Sequence, residues 1–98
     1  GQLPSGTSEF RGEMAGFPIE LTITKDANGL HAKYRNVKFG ATMKLESDGT
    51  TADDGNTSFF GKDAQNNQWI FRLGGNPECL NGSAEGDGKE FSVVLYKK

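Results

Sequence analysis

Cysteine and histidine are each present once in 98 residues, and proline three times. A lone Cys79 cannot close an internal disulfide, so no covalent staple holds the chain together. With no basic residue beside it in sequence, it is a poor nucleophile and reads as a small apolar side chain on a strand. His31 alone supports neither a histidine metal triad nor a nucleophile–imidazole pair, and reads as a solvated strand residue. An excess of one charge is missing too: the formal net charge is −2, with lysines and arginines dispersed among acids. That dispersal gives no footprint for nucleic acid or an anionic membrane surface. No apolar run approaches the length of a transmembrane helix. No signal peptide lies within these residues, and any targeting segment is expected ahead of residue 1. Residues 1–8 are polar and short and read as a flexible tether to a single domain over 9–98.

What the chain has instead is alternation. Phe17, Ile19, Leu21 and Ile23 alternate with Pro18, Glu20, Thr22 and Thr24. Val37, Phe39, Ala41, Met43 and Leu45 do so against Lys38, Gly40, Thr42, Lys44 and Glu46, and Phe91, Val93 and Leu95 close the series. A period of two describes half-buried β-strands, because successive side chains point to opposite faces. Helical periodicity is absent beyond two turns.

Glycine is plentiful, at 14 residues, and falls where hairpins should turn. Asn28-Gly29 is a strong tight-turn signal; as the tip it sets Ala27 against Leu30 and Ile23 against Tyr34. Asp87-Gly88 is a second tip, setting Ala84 against Phe91, Gly82 against Val93 and Leu80 against Leu95. Arg35-Asn36 reads as a third tight turn, joining Tyr34 to Val37. Gln65-Asn66-Asn67 turns one strand into the next, and Gly74-Gly75-Asn76-Pro77 is a loop by composition. Strands are therefore expected near 8–14, 17–25, 30–35, 37–46, 57–63, 67–73, 79–85 and 90–97. The polar stretch 47–56 holds at most a short edge strand near Thr50 to Ala52.

About eight short strands with tight turns predict an all-β fold, a small antiparallel up-and-down meander in a closed or half-open barrel. A two-sheet β-sandwich is the alternative. The expected inward set is Phe10, Met14, Phe17, Ile19, Leu21, Ile23, Tyr34, Val37, Phe39, Met43, Leu45, Phe60, Trp69, Phe71, Leu73, Leu80, Phe91, Val93 and Leu95. At ~1.5–3 kcal/mol per buried side chain this suffices for a domain of this size. It also fills a barrel of eight strands, leaving its exterior free to act.

Chemistry-bearing clusters are thin. The carboxylate pairs Glu9 with Glu13, Glu46 with Asp48, and Asp53 with Asp54 fall on outward or loop positions where water keeps them ordinary. The loop Asp48-Gly49-Thr50-Thr51-Ala52-Asp53-Asp54-Gly55-Asn56 offers hard oxygen ligands but lacks the ligand order and closing glutamate of an EF-hand, so it reads as a solvated turn. No cofactor, metal or catalytic residue is expected. Phe59, Ile70, Val94 and Tyr96 fall on the outward parity late in the chain. If their strands are neighbours, they form an exposed apolar patch flanked by Arg72, Lys97 and Lys98, of the kind that marks a partner surface.

Two stretches carry a resemblance. Phe10-Arg11-Gly12-Glu13-Met14-Ala15-Gly16-Phe17-Pro18-Ile19-Glu20-Leu21, and the closing hairpin from Leu80 through Gly82, Ser83, Gly88, Lys89, Phe91, Val93 and Leu95, resemble the opening and closing strands of small β-meander domains in exported bacterial envelope proteins. Those domains are mostly of unassigned function. The resemblance implies a non-enzymatic module outside the cytoplasm, whether periplasmic, lipoprotein-anchored or secreted. The expectation is a binding or protein-interaction module using its outer surface and loops, with another protein or an envelope component as partner and self-association as a further option. Two alternatives stand beside it. One is an inhibitor of a hydrolase such as lysozyme, acting through the protruding 47–56 loop; bacterial lysozyme inhibitors carry a Ser-Gly-x-x-Tyr segment, whereas Ser5-Gly6-Thr7-Ser8 has no tyrosine in place and Ser83 is followed by Ala84. The other is a small lipocalin-like carrier of an apolar ligand.

Overall fold

A computed structural model describes residues 3–98 and contains eight strands. They are β1 (Gly6–Met14), β2 (Phe17–Asp26), β3 (Gly29–Asn36), β4 (Thr42–Ser47), β5 (Thr57–Lys62), β6 (Gln68–Asn76), β7 (Cys79–Gly86) and β8 (Lys89–Lys97). Each pairs antiparallel with its sequence neighbour, and β8 returns to β1, so the sheet closes as an up-and-down barrel. Closure leaves no free sheet edge, which a small all-β domain otherwise has to protect. No helix occurs among the described residues.

Alternation builds the interior, mostly from the expected residues, with Phe59 and Ala84 added. Phe10, Ile19, Leu21, Ile23, Leu45, Phe59, Phe71 and Leu95 are fully buried, with Met14, Tyr34, Met43, Leu73, Leu80, Ala84 and Val93 around them. Two glycines let strands approach closely where a side chain would not fit. A Cβ on Gly12 would overlap the Val94 carbonyl across the β1–β8 closure, and one on Gly82 the Arg72 carbonyl between β7 and β6. The β7–β8 hairpin has the predicted register, Leu80 with Leu95, Gly82 with Val93 and Ala84 with Phe91. Asp87 and Gly88 both take positive φ, as a type I′ turn requires.

Several details differ from the sequence expectation. In the β2–β3 hairpin Ile23 faces Ala32 and Leu21 faces Tyr34, a shift of two residues. The Asp26 side chain accepts a bond from the Asn28 N–H at 2.8 Å, so the central turn residues are Ala27 and Asn28 and Gly29 follows with φ 111°. The tight turn expected at Arg35-Asn36 is instead a loop over 37–41, with Arg35 facing Thr42 and Tyr34 facing Met43. Val37 and Phe39 thus lie outside β4 and outside the core. In β5 the phase is opposite to that expected: Phe59 pairs with inward Phe71 and is buried, while Phe60 pairs with Ile70 and is exposed. Gly74, Gly75 and Asn76 continue β6, and the turn to β7 is made by Pro77 and Glu78. At the other end of the chain, β1 starts at Gly6 and Leu3 packs against the core.

The turns divide the barrel into two ends. The β2–β3, β4–β5 and β6–β7 connections surround one end, the mouth. Ala15-Gly16, 37–41, 63–67 and Asp87-Gly88 surround the other, the base. One seam is weaker than the rest. β4 and β5 share a single ladder pair, Glu46 with Phe60, supplemented by the isolated bridge Thr51 with Thr57.

Candidate functional site

The four residues expected to form one outward patch lie in three places. Phe59 is 1% exposed and belongs to the core, which removes it from any surface role. Two phenylalanines adjoin there, and the Phe59–Phe71 pairing turns Phe59 inward in place of the expected Phe60. Ile70 is half-buried on β6 beside Phe60. Val94 and Tyr96 are on β8, where Tyr96 faces Arg11 and Val94 faces Glu13. Together with Pro18, Lys97 and Lys98 they line a shallow groove above Gly12, and Tyr96 is 57% exposed. Arg72 is elsewhere, bonded to Glu85 at 3.3 Å.

The largest exposed apolar group is at the base, built from residues that alternation assigns to the interior. Ala15 and Gly16 both take positive φ and make a tight turn that delivers Phe17 at the very end of β2. Next to it, buried Asn36 organises the 37–41 loop through three bonds. Its backbone N–H donates to the Ala41 carbonyl at 2.8 Å, its carbonyl accepts from the Gly40 N–H at 2.8 Å, and its side-chain oxygen accepts from the Phe39 N–H at 3.0 Å. The Val37 N–H donates to the Pro18 carbonyl at 3.0 Å and ties the loop to β2.

As a result Phe17, Val37 and Phe39 are 37%, 39% and 67% exposed. The two phenylalanine rings meet at 5.5 Å, tilted by 51°, and Lys38 Nζ stands 5.3 and 5.4 Å from their centroids. Pro18 joins this cluster to the Val94–Tyr96 groove. The sequence does carry a signal for the loop: Asn36 and Gly40 bracket Val37-Lys38-Phe39, and turn residues at both ends outweigh the alternation between them.

The mouth holds a bowl of about 550 Å³ bordered by Leu3, Lys25, Leu30, Thr51 and several glycines. Its floor is made by Phe59, Leu73 and Leu80, exposed by only 1%, 3% and 7%, so the bowl does not continue into the barrel. The polar groups around it serve their own turns. Asp26 bonds His31 Nε2 at 3.1 Å and the Asn28 N–H, in that order of influence, and both hold its carboxyl below the usual aspartate range. Asp48 accepts from the Thr50 N–H and hydroxyl, which lower it likewise, and Asp54 accepts from the Asn56 N–H at 2.9 Å. Cys79 is half-buried opposite Tyr96. Among the described residues, no group of three or more histidine, cysteine, aspartate or glutamate side chains is placed to hold a metal ion.

No family model matches this chain, and neither a curated protein nor a solved structure does. The bowl is floored by closed side chains and the groove is shallow. The base cluster is a contiguous set of large apolar side chains held outward by a hydrogen-bonded loop.

Proposed function

We propose that this barrel is a non-catalytic docking module of an exported protein, and that its base is the working surface. The observation that carries the reading is the exposure of Phe17, Val37 and Phe39 on two adjoining turns. Three large apolar side chains in contact with water are a standing cost, and Asn36 holds the loop that keeps two of them there. Pro18, Val94 and Tyr96 extend the same surface up the wall. The filled interior supports an exterior site, since a carrier's ligand would have to displace Phe59, Leu73 and Leu80. The extracytoplasmic setting rests on the resemblance of the opening and closing strands to envelope domains.

Photo-crosslinking in the native cell tests this directly. A photoreactive residue at position 39 should form adducts, whereas the same residue at exposed Ser92 on the wall should not. Equal yields at the two positions would remove the base from consideration.

A further inference from the structure

Lysines dispersed along the chain are gathered by strand register. Lys33 on β3 faces Lys44 on β4 directly. Lys44 lies two residues before Glu46 on β4 and Lys62 two residues after Phe60 on β5, so with Glu46 and Phe60 paired the two lysines fall on the same outer face of neighbouring strands. All three are exposed, and none forms an ion pair among the described residues. Like charges directly opposite one another on adjacent strands oppose folding, so the row costs stability in a protein whose net charge is only −2. Along the same strands, Glu46 lies two residues beyond Lys44 on the side away from the base, Arg35 two residues beyond Lys33 is bonded to Glu20 at 2.8 Å, and Asp63 beside Lys62 accepts bonds from Gln65, Asn67 and Trp69. Lys33 is three residues from the base end of β3, about 10 Å at ~3.3 Å per residue, and Lys62 ends β5 at the base itself. Lys38, over the two phenylalanine rings, adds a fourth unpaired cation at the tip.

An aromatic tip beside an unpaired cationic row fits one class of partner well. A bilayer surface offers an apolar layer under anionic headgroups, and stable attachment of a peripheral protein requires both signals together. Aromatic rings suit the interfacial zone, and lysine stems lie along apolar surface while their ammonium groups remain at headgroup level. We infer that the base docks on an anionic lipid surface, with Phe17, Val37 and Phe39 entering the interface and Lys33, Lys38, Lys44 and Lys62 engaging lipid phosphates. This rests on the docking role given to the base, and names its partner.

Co-sedimentation of the purified chain with phosphatidylcholine vesicles, with and without phosphatidylglycerol, is the test. Binding is expected only when phosphatidylglycerol is present, and should weaken as salt screens the charges. Lys44→Gln and Lys33→Gln should each lower partitioning about fivefold, the equivalent of one lysine–membrane contact. Phe39→Ser should lower it as well, and all three variants should stay folded by circular dichroism, the two lysine variants melting no lower than the parent.

Failure of the parent to bind, or equal binding to both vesicles, would overturn the lipid assignment without touching the crosslinking result for the base. Loss of binding in the lysine variants with none in Phe39→Ser would overturn the base as the docking surface. Retention on heparin without vesicle binding would assign the row to a soluble polyanion instead. Normal vesicle binding by Lys44→Gln combined with self-association would make the lysines guards of the β4–β5 seam, and would overturn the inference.

Discussion

Two aromatic clusters stand at the base of this barrel, a few strands apart, and they have opposite fates. Trp69 and Phe91 stack at 6.1 Å with planes 16° apart. Gly86 leaves space for the indole, since any Cβ there would run into the ring. The indole N–H donates to Asp63 at 3.0 Å, and the 63–67 turn closes around that carboxylate through the Asn67 and Gln65 N–H groups. Phe17 and Phe39 also touch, but their loop turns them outward and only Lys38 lies over them. Both clusters are pairs of aromatic rings in contact, yet Trp69 and Phe91 pack against the core and Phe17 and Phe39 are exposed. What separates them is the neighbourhood: a glycine seat and a polar cap bury one, and a turn that projects its side chains exposes the other. Aromatic content alone thus says little about role; the residues beside the rings decide between structure and recognition.

If the stacked cluster is structural, Trp69→Ala should cost about 3 kcal/mol, at the low end for aromatic truncation because Trp69 is only half-buried. Urea unfolding followed by circular dichroism measures this, and a loss below ~1 kcal/mol would erase the contrast between the clusters. Asn36→Ala comes next, at about 1–2 kcal/mol, because it removes the side-chain bond that orders the 37–41 loop. Its effect should fall on the amides of residues 37–41 in hydrogen exchange rather than on those around Trp69.

A smaller effect concerns pH. The Trp69 indole, then the Asn67 and Gln65 bonds, hold the Asp63 carboxyl below its ordinary value of 3.8. A lowered carboxylate pKa favours the folded state above the unfolded-chain value, and that contribution fades as pH falls through the folded value. The stability difference between the parent and Asp63→Asn should accordingly stay constant from neutral pH to about 4 and close below it. A gap that persists unchanged into stronger acid would show that the carboxylate is not what caps the indole. Smallest of all is Phe39→Ser, expected to shift stability by no more than about 0.5 kcal/mol while reducing docking. A large loss of stability there would mean that the exposed cluster is structural after all.

Much of this architecture is readable from residue pattern, and the misreadings share a physical origin. Period two identifies strands, and Asp87-Gly88 sets the β7–β8 register because both residues tolerate positive φ. A slip of two residues, however, keeps every side chain on its own face. Hydrophobic pattern is therefore blind to the difference between Ile23 facing Tyr34 and Ile23 facing Ala32; the turn at Ala27 and Asn28, where Asp26 accepts the Asn28 N–H, goes with the second. Phe59-Phe60 shows the same blindness in phase, since either could point inward until Phe71 is known to lie opposite. Val37 and Phe39 obey the alternation perfectly and still leave the core, because Asn36 opens a loop before them. The candidate site was for that reason the least readable part: it consists of residues whose pattern says interior. The lysine row was hidden differently, scattered over 30 positions of sequence and gathered only when β3, β4 and β5 lie side by side.

The single ladder pair between β4 and β5 gives the cylinder a natural place to unzip. Transient opening there would briefly turn a closed surface into a sheet with two raw borders, one carrying Lys44 and the other Lys62. Positive charge on both borders disfavours the addition of a strand from another molecule. Amides along β4 and β5 should be the first of the strand amides to trade hydrogen with solvent, and cyclic tightening of that junction would be the most direct way to make the whole shell more rigid.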